Sequence, residues 1–179
     1  MRQNQKSNSK PVNSISLVKI CVVAFLIAAE IVLTRFLSIN TPIVRVGFGF
    51  LPVAITAVLY GPLWAAAAYA AGDILGALLF PTGPYFPGFT LTAFLTGLTY
   101  GFFFRKKNVV WKTALPAAAA VCLLLNLGLD TFWLYIIMNQ GVFALLPARI
   151  LKAAIMLPVQ TFLIPPVWKA LSVRTSVLR

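Results

Sequence analysis

From residue 17 onward the chain is a succession of apolar stretches, and runs such as Val22 to Leu33 and Leu63 to Ala71 lack the polar–apolar alternation of a membrane barrel strand. Helices are therefore expected throughout. The first covers about Leu17 to Leu37, and Ser38 to Val46, with Pro42, makes a loop. A short second helix runs from about Gly47 to Tyr60, with Pro52 in its first turns, where a missing donor is tolerated. Gly61-Pro62 breaks the chain before a third helix, Leu63 to Leu79. The uncharged loop Pro81 to Gly88 is stiffened by prolines and studded with aromatics. A fourth helix spans about Phe89 to Phe104, a fifth Thr113 to Met138 and a sixth Leu145 to Val167, where Pro158, Pro165 and Pro166 are expected to kink or end it.

A helix crosses a bilayer with about 20 mainly apolar residues, so 179 residues allow about six crossings and no soluble domain. The expectation is an all-α membrane protein with six transmembrane helices over residues 17–170. The segments 1–16 and 171–179 are short tails, the first too polar to fold alone. No small-residue cleavage site precedes Glu30 and Arg35, so the first apolar segment should be retained as a helix and not removed as a signal peptide.

Composition agrees: 60% of residues are apolar, 10% charged, and the mean hydropathy is +0.92. The formal charge of +12 would suggest nucleic acid in a soluble chain, but here it reads first as topology and no nucleic-acid partner is expected. Arg2, Lys6, Lys10 and Lys19 precede the first helix; Arg105, Lys106, Lys107 and Lys112 join the fourth and fifth; Lys169, Arg174 and Arg179 follow the sixth. Cytoplasmic flanks carry excess Lys and Arg, which places both termini in the cytoplasm. Cys21 and Cys122 fall in apolar runs and are expected to be buried thiols.

Four of the fifteen cations, Arg35, Arg45, Arg149 and Lys152, run against that rule, at or within the outer half of the bundle. Ionisable groups at membrane depth cost about 2.5–3.5 kcal/mol each on insertion scales and by default serve a function. Arg149 and Lys152, three apart, share a helical face suited to an anionic solute. The bland reading is snorkelling, or pairing with the three acids Glu30, Asp73 and Asp130. Asp73 lies between Gly72 and Gly76 and either braces helix packing or faces the site. Asn126, Asp130 and Trp133 give the fifth helix a polar face with an aromatic plate, serving either interhelical hydrogen bonds or a ligand. Phe80, Tyr85 and Phe86 are either headgroup anchors or the cap of a cavity. A planar heteroaromatic ligand would stack between such rings and be read on its edge by a carboxylate and an amide. Ala24 and Ala28 form a small-residue face, as do Gly72 and Gly76, and such faces permit close helix contact. With no histidine, histidine-based zinc sites and Ser-His hydrolysis are excluded, and no phosphate loop of the GxxxxGK[ST] kind is present. No cofactor or metal is expected, and the chain is not expected to be an enzyme.

Val44-Arg45-Val46-Gly47-Phe48-Gly49-Phe50-Leu51-Pro52 and Gly61-Pro62-Leu63-Trp64-Ala65 resemble the substrate-binding S components of energy-coupling factor transporters. The resemblance is to the folate-specific branch. It continues through Asp73-Ile74-Leu75-Gly76, the loop from Phe80 to Thr90, Asn126 to Trp133 and Pro147 to Lys152. It implies a six-helix subunit that captures folate from outside and topples in the membrane when docked on a shared transmembrane coupling subunit with two ATPases. It also implies that Ala24 and Ala28 dock that subunit. Folate combines a planar pterin, an aromatic linker and a glutamate tail, which suits aromatics and an acid within the site and cations at its mouth. Glu30, Asp73 and Asp130 all remain open as the pterin-reading acid. The competing readings are an S component for another vitamin, a self-contained proton-coupled transporter of a small anion and, last, an intramembrane enzyme.

Overall fold

A computed structural model describes residues 17–40, 45–81, 85–105, 109–138 and 142–175. Among the described residues, the helices group into six rods in the order read from the sequence. They are α1 (Leu17–Arg35), α2 (Phe50–Tyr60), α3 (Pro62–Leu79), α4 (Pro87–Phe104), a composite fifth rod, and α7 (Val142–Thr175). The fifth rod is α5 (Trp111–Ala119), a π-helical segment (Ala120–Leu129) and α6 (Asp130–Met138), without interruption. Among the described residues, four stretches are long and apolar enough to cross a membrane by themselves: Leu17–Arg35, Pro62–Leu79, Trp111–Ile137 and Leu146–Ser172. The surface is correspondingly apolar, with Leu78 at 74% and Leu63 at 71% exposure, which suits lipid rather than water. This is a multi-pass membrane protein.

Three features depart from the sequence reading. The loop after α1 contains an antiparallel hairpin, β1 (Ser38–Asn40) against β2 (Arg45–Gly47), with Ser38 opposite Gly47. A Cβ on Gly47 would lie 2.5 Å from the Ser38 Cβ, so the close pair needs glycine there. None of the prolines ends the sixth rod; Pro147, Pro158, Pro165 and Pro166 all lie inside α7. Neighbouring helices can support a proline-bearing rod of this kind in a membrane. Cys122 is buried as expected, but Cys21 is exposed on the outer face of α1.

Packing sets the two ends of the bundle. The α2 helix, 11 residues long, is about 16 Å at 1.5 Å per residue, roughly half the hydrocarbon thickness. It turns directly into α3 at Gly61, whose φ of 88° is a conformation that favours glycine. Lys19, at the start of α1, sits over the rings of Trp64 (4.1 Å) and Tyr60 (5.3 Å), a pair of cation–π contacts that ties α1 to this junction. The α4 helix returns antiparallel along α3. A Cβ on Gly97 would come within 2.5 Å of the Ala65 carbonyl oxygen, and one on Gly101 would overlap Pro62. This glycine seam, not singled out from the sequence, is what lets α3 and α4 touch backbone to backbone. Inside, Tyr100 stacks on Phe104 (5.7 Å, 8°) and donates to Gln160 Oε1 at 2.8 Å. The buried Cys122 thiol also reaches Gln160 Oε1, at 3.5 Å, so Tyr100, Cys122 and Gln160 meet one another in the core.

Candidate functional site

At the opposite end of the bundle from Lys19, charged and aromatic residues of α1, α3, α4, α6 and α7 come together in two adjoining clusters. The first is the α1–α3 seam. Glu30 is 3% exposed, and its Oε1 accepts a hydrogen bond from Thr34 at 2.6 Å. A Cβ on Gly72 would overlap the Glu30 carboxylate, one on Gly76 would lie 2.9 Å from Arg35 Nε, and one on Gly49 would lie 2.5 Å from Thr34 Oγ1. The two glycines of α3 are therefore notches that receive the carboxylate and the guanidinium of α1. Close approach is indeed what this small-residue face permits, but what approaches is charge. Just beyond, Phe36 meets Phe80 edge to face, with ring centroids 5.0 Å apart.

The second cluster lies between α3, α4, α6 and α7. Thr90 Oγ1 donates to Asp73 Oδ2 at 2.8 Å and is itself 2.9 Å from the Tyr85 hydroxyl, so the aromatic loop is linked to α3. The Trp133 indole N–H donates to Thr92 Oγ1 at 3.1 Å, and the Trp133 ring packs on Phe86 with centroids 5.6 Å apart. Gly88 makes room for both rings, since a Cβ there would lie 2.6 Å from Trp133 Cδ2. Asp130 faces this wall, with Thr92, Lys152, Arg149 and Asp73 as its polar and charged neighbours. Lys152, Asn126, Asp130 and Trp133 are half-buried, whereas Arg149 is 5% exposed.

The π-helical segment explains part of this placement. Hydrogen bonds five residues apart fit about one extra residue into a turn, so the residues after the segment are rotated relative to a plain α-helix. The Asp130 N–H donates to the Leu125 carbonyl, five residues back. Resuming four-residue spacing at the next amide passes over the Asn126 carbonyl. Arg149 Nη1 donates to that oxygen at 2.7 Å.

The residues singled out from the sequence thus separate. Asp73, Tyr85, Phe86, Asn126, Asp130, Trp133, Arg149 and Lys152 gather in the second cluster, and Arg35 and Phe80 in the first. Arg45 stands opposite Asn40 in the hairpin that follows α1; its side chain lies outside the described residues. Ala24 and Ala28 are both exposed, on the face of α1 that carries Cys21 and Phe25 and turned away from Glu30. The sequence reading missed Thr34, Thr90 and Thr92, which hold the two clusters together. A signal was available for two of them: Thr90 and Thr92 open a series of four threonines, with Thr96 and Thr99, in a helix that carries no charge.

An apolar bundle of this form, with acids, cations and aromatics converging at one end, defines the class: a multi-pass membrane protein with a polar cluster enclosed among its helices. Comparison with known proteins makes that class specific. Residues 18–168 match the family described as the ECF transporter, substrate-specific component, and the chain belongs to that family. It is 48% identical over 146 residues to the folate transporter FolT of Clostridium novyi, a match covering 82% of this chain and 85% of the relative. It is 32% identical over 145 residues to the folate transporter FolT of Leuconostoc mesenteroides, covering 78% of each. Among solved structures it resembles the crystal structure of FolT bound with folic acid, with a TM-score of 0.78, 36% identity, and coverage of 82% of this chain and 90% of the other.

Proposed function

We propose that this chain captures folate and serves as the substrate-binding subunit of an ATP-driven vitamin importer. The observation that carries the reading is the second cluster, in which an acid and an amide (Asp130, Asn126) stand beside an aromatic wall (Trp133, Phe86) with Arg149 and Lys152 nearby. That set answers a planar, hydrogen-bonding head joined to an anionic tail. The relatives carrying the folate transporter name, and the solved relative holding folic acid, support it. In this reading the chain crosses the bilayer six times with both termini in the cytoplasm, and the clustered end faces outward. Arg35, Arg45, Arg149 and Lys152 give that end the positive potential that draws in an anion, while Asp73, Phe80 and Tyr85 line its mouth.

The chain has no nucleotide-binding loop of its own, so energy comes from two ATPase subunits acting through a shared transmembrane coupling subunit. The exposed Ala24 and Ala28 are the surface proposed to meet that subunit, since a small-residue face admits a partner helix closely. The test is a tryptophan-fluorescence titration of the detergent-solubilised chain with folate, thiamine, riboflavin and pantothenate. Quenching by folate at concentrations where the other three are silent is expected, together with uptake into proteoliposomes only when the partner subunits are present. Quenching by one of the others alone refutes the folate assignment, and uptake by the isolated chain driven by an ion gradient refutes the division of labour.

A further inference from the structure

We propose that Arg149 is a positioning residue for ligand selectivity: through the Asn126 carbonyl it fixes the face of the fifth rod that presents Asn126 and Asp130 to the planar head of the ligand. The inference rests on the folate reading above and assigns a part within it.

Three observations lead there. The first is the direction of the guanidinium. Arg149 is buried, its Nη1 donates to a backbone oxygen on another rod at 2.7 Å, and Asp130 of that same rod is its charged neighbour. Lys152, one turn further along α7, is half-buried beside the same cluster, where an ammonium is placed to meet an anionic tail.

The second is the identity of that oxygen. It belongs to the residue that the hydrogen-bond spacing steps over, the Asp130 N–H reaching back five residues to Leu125 and the chain being α-helical from Asp130 onward. In hydrocarbon an unmet carbonyl costs several kcal/mol, so the π segment is stable there only with an external donor. A charge-assisted hydrogen bond from arginine is a strong one. The contact therefore stabilises the irregular helix itself, and with it the rotation that the extra residue introduces.

The third is what the irregularity carries. Asn126 owns the carbonyl, Asp130 is the first residue of the resumed α-helix, and Trp133 follows within its first turn. Relaxation of the segment toward α-helical spacing would turn these three relative to Thr92 and Phe86, which are fixed on and beside α4. Arg149 then influences how the head of the ligand is read without touching its carboxylates.

The experiment compares three ligands on the unsubstituted chain and on Arg149→Met: folate, pteroate, which lacks the glutamate, and aminopterin, which carries an amino group where the folate pterin has its 4-oxo group. Dissociation constants give two ratios. The pteroate-to-folate ratio reads the tail, and the aminopterin-to-folate ratio reads the head. We expect Arg149→Met to change the head ratio by about tenfold and leave the tail ratio within about twofold, and Lys152→Met to show the converse. A tenfold change in the tail ratio with an unchanged head ratio overturns the inference, because Arg149 then grips the glutamate. Weakening of all three ligands with both ratios unchanged also overturns it, because the role is then only structural. Should Arg149→Met fail to fold, Arg149→Gln, which removes the charge and shortens the reach to the Asn126 carbonyl, carries the same two ratios, the same expectation and the same refutations. If the unsubstituted chain binds none of the three, the functional reading falls and this inference with it; if it binds them and the ratios move the wrong way, this inference falls alone.

Discussion

Ionisable side chains are embedded in this bundle in two ways. At the α1–α3 seam, Glu30 and Arg35 occupy notches left by Gly72 and Gly76, and Glu30 is almost wholly enclosed. Between α4, α6 and α7, Asp130 and Lys152 are half-buried beside Trp133 and Phe86. In the first region the facing helix has given up its side chains, so the charge fills the contact and acts as packing. In the second the neighbours are aromatic and hydroxyl-bearing, and the polar groups keep a partial opening. A charge at membrane depth is therefore not by itself a ligand site. The two regions differ in partial exposure and in aromatic surface, both of which the Asp130 cluster has.

That contrast can be broken experimentally. The largest effect expected is on ligand binding in the second region: Asp130→Ala removes a charged acceptor able to make two hydrogen bonds, each worth roughly 1.5 kcal/mol or more. Folate affinity should fall about a hundredfold, read by fluorescence titration, while the melting temperature changes little. In the seam the pattern should invert. Gly72→Ala overpacks against the Glu30 carboxylate and should cost about 1–3 kcal/mol of stability, seen as a lowered midpoint of thermal unfolding in detergent, with the affinity of the folded fraction changed less than threefold. A hundredfold loss of affinity in Gly72→Ala at unchanged stability would merge the two regions into one site. The smallest effect should come from Lys152→Met, about tenfold weaker folate binding, set against Lys112→Ala on the exposed end of α5, where no change is expected. Equal losses from both lysines would refute the idea that the outward cations act locally.

Much of this was legible in the residue pattern because it depends on local features. The segments around Leu17, Phe50, Leu63, Phe89, Thr113 and Leu145 are helical because the hydrocarbon solvent requires each stretch to meet its own backbone hydrogen bonds. Of the four cations that the positive-inside rule leaves over, the described Arg35, Arg149 and Lys152 share one end of the bundle, opposite Lys19. The residues flagged around Asp130 did converge. Where the residue pattern falls short is similarly specific: of the two outcomes it allows for the prolines of α7, a kink or an end, the helix does not end, and Cys21 lies exposed because an apolar run in a membrane protein faces lipid as readily as core.

The sequence by itself determined that the chain belongs in a bilayer, where its helices lie, and which charges lack a topological explanation; composition, run length and spacing decide these, and all three are properties of neighbouring residues. Only the tertiary structure decided that Glu30 lies in the Gly72 notch while Asp130 faces the aromatic wall, that the fifth rod widens into a π turn, and that Arg149 donates to the Asn126 carbonyl. Those outcomes depend on which side chain of one rod meets which gap in another, and pairings across 23 residues, as from Asn126 to Arg149, or 42, as from Glu30 to Gly72, leave no periodic trace along the chain.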